Sequence, residues 1–386
     1  MDKSLQSGPR AAAAPGAAPR IHSLLVKPVS ALCNLDCAYC FYRDRDSDPY
    51  GSAPLRRMSD ETLEQLIEGY LFYSYPNSLF AFQGGEPMLA GRAFFERLIE
   101  YQKRYARGGG HAISNILQTN GVLLDDSWCR MLKEYRWLVG VSLDGPEAVH
   151  DRYRRGKPGG GTWKDVIRGL EALRKNGVEQ HNVLCAVSQA NVERAAELFK
   201  FFRSLGIDYI QHIPVAERDG AGRLLPFSIT PEQYGRFLSE TFDLWWPERR
   251  TVRVRNFDSI AEAIAGQPSS CTMRETCDSY AVVESNGDVY PCDFFVEKSW
   301  ILGNIAVNSW SEIARSRRRY AFAAQKSSVP GACGKCEYQA ICRGGCPKYR
   351  FDRQDYFCRA YQTIFGKAVP LLVKELASLW RALDRD

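Results

Sequence analysis

Nowhere in the 386 residues is there a run of the roughly 18 uninterrupted apolar residues that a membrane-spanning helix needs, so no membrane partner is expected. The opening stretch MDKSLQSGPRAAAAPGAAPR lacks the continuous apolar core of a secretory signal, because Pro15, Gly16 and Pro19 interrupt the alanines. Such small residues bury too little surface to offset the entropy of ordering, and 1–20 reads as a disordered tail. Without a secretory signal the 13 cysteines do not read as a disulfide framework. A cytoplasmic chain whose clustered thiols bind metal is the expectation. A large charge excess is missing too. The net charge is +6, and the densest basic run, RSRRRY at 315–320, reads as a solvated helix face, so no nucleic-acid partner is expected. Histidine is scarce, with five in the chain and none in the cysteine loop at 33–42.

What is present begins with a strand–helix alternation from about residue 21 to 215. The runs SLLVKPV, LFAFQ, ISNILQ, WLVGVSL, HNVLCAV and IDYIQHI have the apolar, β-branched and aromatic content of strands. Between them, Leu63, Leu66, Ile67, Tyr70 and Leu71 trace one buried helix face, as do Ala195, Leu198, Phe199 and Phe202. Ser59, followed by Asp60 and Glu61, reads as a helix start. Six alternations imply a parallel sheet, open or curled into a partial barrel. The turns QGGEP, TNG and LDG all follow strands, as does the cysteine loop, so they share the carboxyl rim where parallel α/β folds place their chemistry. Each turn alone is ordinary; their coincidence on one rim favours the barrel.

Past residue 215 the alternation is expected to stop. Residues 216–270 read as a proline-punctuated connection with a helix around PEQYGRFLSETFDLWW. AVVESNGDVYPCDFF carries a hairpin signal at Asn286-Gly287, and the stretch from about Arg359 onward reads as a covering helix.

CNLDCAYCFY places Cys33, Cys37 and Cys40 on a C-x3-C-x2-C spacing. Eight more cysteines lie at 271, 277, 292, 333, 336, 342, 346 and 358, while Cys129 and Cys185 sit in apolar contexts as small buried hydrophobes. Eight is two full ligand sets; three is one set short. Structural zinc suits the C-terminal spacings, but an open zinc site usually includes histidine, which the first loop lacks. A [4Fe–4S] cluster on three cysteines leaves one iron open to a chelating cofactor.

The loop, with Tyr39 before its last cysteine, resembles the signature of the radical S-adenosylmethionine enzymes. KPVSALCNLDCAYCFY, QGGEP, LQTNG, VSLDGP and CDFF extend the resemblance along the chain. The C-terminal cysteines resemble the SPASM extension, and the whole is most similar to the anaerobic sulfatase-maturating enzymes. The resemblance implies a partial parallel (β/α)6 barrel over 21–225, a connecting helical segment over 226–270, and a cysteine-rich iron–sulfur domain with a C-terminal helix over 271–386. It implies three [4Fe–4S] clusters, one on Cys33, Cys37 and Cys40, one on Cys271, Cys277, Cys292 and Cys346, and one on Cys333, Cys336, Cys342 and Cys358. S-adenosylmethionine would meet Tyr39, Gly85, Ser142, Arg154 and the Val215–Ala216 region; an arginine fork suits its carboxylate. Asp293 matches the family's base, and Tyr42 and Gln83 match positions near the peptide substrate.

The implied activity is oxidation of a sulfatase cysteine, or serine, to formylglycine through a 5′-deoxyadenosyl radical. The implied partners are a sulfatase polypeptide or its C-x-P-x-R-type segment and an electron donor such as a flavodoxin or ferredoxin. Two rivals stand beside this reading: a SPASM enzyme that forms thioether or carbon–carbon crosslinks in a precursor peptide, and a non-catalytic zinc-binding interaction protein.

Overall fold

The computed structural model of the protein describes residues 20–42, 57–157, 159–351 and 353–383. The expected tail at 1–19 lies outside the described residues. Ten strands form one sheet: β1 (Ser23–Val26), β2 (Asn77–Phe82), β3 (Ala112–Thr119), β4 (Leu138–Ser142), β5 (His181–Val187), β6 (Tyr209–Pro214), β7 (Arg253–Val254), β8 (Tyr280–Val283), β9 (Asp288–Tyr290) and β10 (Gly303–Asn304). Their spatial order is β10-β9-β8-β1-β2-β3-β4-β5-β6-β7, parallel from β8 through β1 to β7. Helices α1 (Asp60–Ser74), α2 (Arg92–Tyr105), α3 (Asp126–Glu134), α4 (Glu147–Tyr153), α5 (Trp163–Lys175), α6 (Ala195–Ser204), α7 (Pro231–Trp245) and α8 (Arg255–Ile264) fill the connections.

Local chemistry explains the elements. Ser59 Oγ accepts from the Thr62 N–H at 3.1 Å and starts α1, whose expected apolar face is buried. Thr230 and Gln233 cap α7 reciprocally, with Pro231 at its first turn, where a missing N–H costs nothing. Cys129 in α3 and Cys185 in β5 are fully buried, as small hydrophobes should be. The Asn286-Gly287 turn joins β8 to β9 as an antiparallel hairpin. The C-terminal helix Cys358–Leu383 lies on α7, where a side chain at Gly235 would meet the Ala360 backbone at 3.2 Å. Among the described residues no helix is long and apolar enough to cross a membrane.

Two expectations are corrected. The alternation does not end near 215: β7 pairs with β6 and leads into α8, so the segment read as a connection adds to the same sheet. Two residues are too few to show a period. Nor is RSRRRY uniformly solvated. Arg315, Arg317 and Arg318 are exposed, but Arg319 is buried on the stripe that continues through Phe322, Ala323 and Lys326. Its guanidinium donates to the carbonyls of Ala314, Arg20 and Asp278, tying the start of the chain to the cysteine-rich third. Replacing it orphans those acceptors, each worth about 1–3 kcal/mol when buried. Arg319→Met is expected to lower the melting temperature by several degrees, whereas Arg317→Met leaves it unchanged; differential scanning calorimetry compares the two.

Candidate active site and cysteine-lined cavities

The first cysteine loop leaves the end of β1 and is pinned by the turn after β2. The Gly85 N–H donates to the Ser30 carbonyl at 2.8 Å, and a Cβ on Gly85 would fall 2.0 Å from the Leu32 oxygen. Only glycine fits there. Cys33, Cys37 and Cys40 are all partly exposed. The Asn120 amide of the TNG turn lies 3.8 Å from the Cys33 sulfur and 2.8 Å from Asn34 Oδ1.

Beneath the loop stands a group the sequence had shown only as a turn. Asp144 of LDG is buried, and its carboxylate accepts from the Tyr39 hydroxyl, from Arg154 Nε at 3.0 Å and from the Ala186 N–H at 3.0 Å. Arg154 also lies 5.5 Å from the Tyr39 ring centre, so two expected cofactor contacts are held together by one missed residue. Ser142 ends β4 and accepts from Gln118 at 3.2 Å. Val215 and Ala216 are buried just past β6, Ala216 within the main apolar core.

A second group gathers beside β1. Asp293 Oδ2 accepts from the Tyr42 hydroxyl at 2.6 Å and from Gln83 Nε2 at 3.3 Å, so the three residues expected at the substrate converge. Lys27, also missed, lies 2.6 Å from Asp293 Oδ1, 3.0 Å from Glu284 Oε1 and 4.6 Å from the Tyr42 ring centre. All three charged side chains are buried. A lysine inside the apolar run SLLVKPV was the available signal.

The remaining cysteines fall into two sets. Cys271, Cys277, Cys292 and Cys346 line a cavity of about 1000 Å³ that reaches into the sheet's interior along Gln118, Gly140, Asn182 and Gln211. Cys333, Cys336, Cys342 and Cys358 line a separate cavity of about 80 Å³. The stretch from Cys342 to Cys346 serves both cavities. Arg343, Gly344 and Gly345 between them adopt left-handed backbone, and a Cβ on Gly345 would fall 1.9 Å from Asp355 Oδ2. Among the described residues no three His, Cys, Asp or Glu side chains are grouped to hold one metal ion; the thiols surround a space instead. All-thiol sets of four, four and three fit multi-iron clusters, the last with an open position. Burial pushes the Cys37 and Cys346 thiols up to about 12 and those of Cys277 and Cys342 up to about 11, so uptake of iron at neutral pH must release protons.

A curled parallel sheet with a three-cysteine loop on its carboxyl rim and two four-cysteine cavities beyond it defines a radical S-adenosylmethionine enzyme with auxiliary iron–sulfur sites. Residues 28–211 match the family described as the radical SAM superfamily, and 271–337 match the SPASM iron–sulfur cluster-binding domain. The chain is 39% identical to a serine-type anaerobic sulfatase-maturating enzyme of Bacteroides thetaiotaomicron, covering 90% of each chain. It is 38% identical to a cysteine-type enzyme of Clostridium perfringens, covering 91% of this chain and 97% of the relative. A solved structure of native anSMEcpe with bound AdoMet and the Cp18Cys peptide superposes with a TM-score of 0.85 at 36% identity, covering 92% of this chain and 99% of that one. The chain belongs to the family of anaerobic sulfatase-maturating enzymes. A non-catalytic zinc protein is thereby set aside.

Glu86 of QGGEP is fully buried; its carboxylate accepts from the N–H groups of Met88 at 3.1 Å and Asn120 at 2.8 Å and from the Thr119 hydroxyl at 2.9 Å. Burial nevertheless pushes its carboxyl up to about 7. The folded state therefore holds this proton more tightly than the unfolded chain, and the associated stability, full below about 4.5, fades as the pH rises through 7. Glu86→Gln cannot titrate. The stability of the parent relative to this variant is expected to fall between pH 5 and 7.5, read from urea midpoints; a constant difference would contradict the assignment.

Proposed function

We propose that this enzyme oxidises the active-site cysteine, or serine, of a sulfatase to formylglycine, with the reacting residue seated beside Asp293. The observation that carries the reading is the convergence of Tyr42, Gln83 and Lys27 on one buried carboxylate adjacent in sequence to Cys292. Three [4Fe–4S] clusters and S-adenosylmethionine, when bound, supply hydrogen-atom abstraction and one-electron transfer.

The chain's own residues do the rest. Cys33, Cys37 and Cys40 hold the loop cluster, and Arg154, aimed by Asp144, takes the cofactor carboxylate. Tyr39 and Ala216 bound the adenine, Ser142 the ribose, and the Gly85 backbone the amino group. Tyr42 and Gln83 orient the substrate side chain against Asp293, which accepts the proton from its thiol or hydroxyl. A serine then ends as the aldehyde directly, whereas a cysteine ends as a thioaldehyde that water hydrolyses to formylglycine with release of hydrogen sulfide. Cys271, Cys277, Cys292 and Cys346 would hold a cluster able to accept the electron, next in sequence to the carboxylate that takes the proton. A C-x-P-x-R-type segment would present the reacting side chain, and the burial of Lys27, Glu284 and Asp293 limits bulk water around it. A cytoplasmic flavodoxin or ferredoxin suits the electron supply.

The test is mass spectrometry of a cysteine-containing and a serine-containing sulfatase peptide after anaerobic turnover, with formylglycine expected from at least one and crosslinked product overturning the reading. Asp293→Asn leaves Lys27 paired with Glu284, so iron content should stay near that of the parent. Formylglycine yield should fall about 10²-fold or more while deoxyadenosine formation falls much less. Replacing Cys33, Cys37 and Cys40 together by alanine should abolish deoxyadenosine formation and leave about eight irons bound, from two four-iron clusters.

A further inference from the structure

Lys326, in the helix Arg317–Ser327, is wholly buried at 0% relative exposure. Its ammonium donates to the carbonyls of Thr272, at 2.7 Å, and Gly345. Thr272 follows Cys271 and Gly345 precedes Cys346, so both anchors adjoin members of one cysteine set. Among the described residues no carboxylate forms an ion pair with it. Asp355 senses its charge but is engaged elsewhere, accepting from the Cys346 N–H at 2.8 Å and the Phe357 N–H at 2.7 Å. A second cation of the region, Arg350, points its donors at the carbonyls of Gly344, Gln325, Ser328 and Lys326 itself, and Arg274 and Arg255 also act on Cys271.

A buried ammonium beside a second cation is costly unless negative charge faces it. Thiols adjoin both of its anchors, Cys271 beside Thr272 and Cys346 beside Gly345. Cys271, Cys277 and Cys346 of one set and Cys342 of the other all interact with its charge. As thiols they are neutral; as cluster ligands they carry the charge that is missing.

We propose that the Lys326 ammonium is a fixed counter-charge for the two auxiliary clusters, strongest on the one held by Cys271, Cys277, Cys292 and Cys346, and that it raises their reduction potentials. One-electron reduction adds a negative charge to the cluster, and a buried cation stabilises the reduced state more than the oxidised one, the more so in a low dielectric. The electron leaving the substrate thus finds an acceptor poised to hold it. The inference rests on the cysteine sets being cluster ligands and not on the role of Asp293; a parent enzyme without auxiliary iron would remove the ligand assignment before any variant is compared.

The experiment is an EPR-monitored redox titration of full-length, iron-loaded enzyme carrying Cys33→Ala, Cys37→Ala and Cys40→Ala, so that only the auxiliary clusters report. Lys326→Gln keeps N–H donors for the two carbonyls and drops the charge; Lys326→Arg keeps the charge. The Gln variant is expected to show a reduction equilibrium about tenfold less favourable, roughly 59 mV lower for one electron, with Arg at the parent value. Parent-like potentials in the Gln variant at full iron, or an equal fall in the Arg variant, would overturn the proposal. Loss of auxiliary iron in the Gln variant would assign the lysine to cluster assembly and overturn it as well.

Discussion

The parallel pairing of β1 with β8 is the constraint on which the site depends. Ser23 to Val26 run beside Tyr280 to Val283, the Lys27 N–H continues the ladder to the Val283 carbonyl at 2.8 Å, and the hydroxyls of Ser30 and Ser285 meet at 2.8 Å just beyond. This register sets Lys27 beside Glu284 and brings Tyr42 and Gln83 to Asp293. A slip of one residue would turn Leu25 away from Val282 and Tyr290, with which it packs, and send Lys27 to the opposite face. The site is thus assembled from two segments far apart in the chain by backbone hydrogen bonds, and its side chains inherit their positions from them.

That pairing left no mark in the sequence, and the reason is physical. HNVLCAV could be read as a strand because its last five residues are apolar, as in a central parallel strand covered on both faces; β5 spans the same seven residues. The cysteine loop was legible from spacing, and Ser59 from the chemistry of a helix start. A partner strand over 250 residues away has no local signature, and a two-residue strand such as β7 has no period. Arg319 and Lys326 fall in a helix rich in polar residues, where only the burial of one stripe, invisible locally, separates them from their solvated neighbours. The interleaving of Cys346 with one set and Cys342 with the other was available through family resemblance alone. The geometry arrives at the same grouping by placing the two sets around different cavities.

Two groups of buried charges follow one pattern. Asp144 gathers Tyr39 and Arg154, and Lys27 gathers Asp293 and Glu284, so each charge lies opposite another protein charge. Such pairs are weak evidence for stability, because desolvation consumes most of the attraction, but they restrict orientation. Both stand beside residues proposed to meet the cofactor or the substrate. Glu86, Arg319 and Lys326 depart from the pattern, each held by neutral donors or acceptors, and Lys326 does so among the cysteines of the C-terminal sets. The fold therefore holds buried charge in two ways, against an opposite charge or against neutral groups alone.

The β1–β8 ladder also orders events during synthesis. Until residues 280–283 leave the ribosome, β1 has only β2 beside it, and its other edge presents unpaired backbone groups. At about 5–20 residues per second that edge stays open for roughly ten to fifty seconds, with the first three cysteines already outside. An open, largely apolar edge is a template for wrong pairing. The nascent chain is thus most exposed to aggregation while its barrel is nearly complete, and the hairpin that ends this exposure is the one that delivers Cys292 and Asp293.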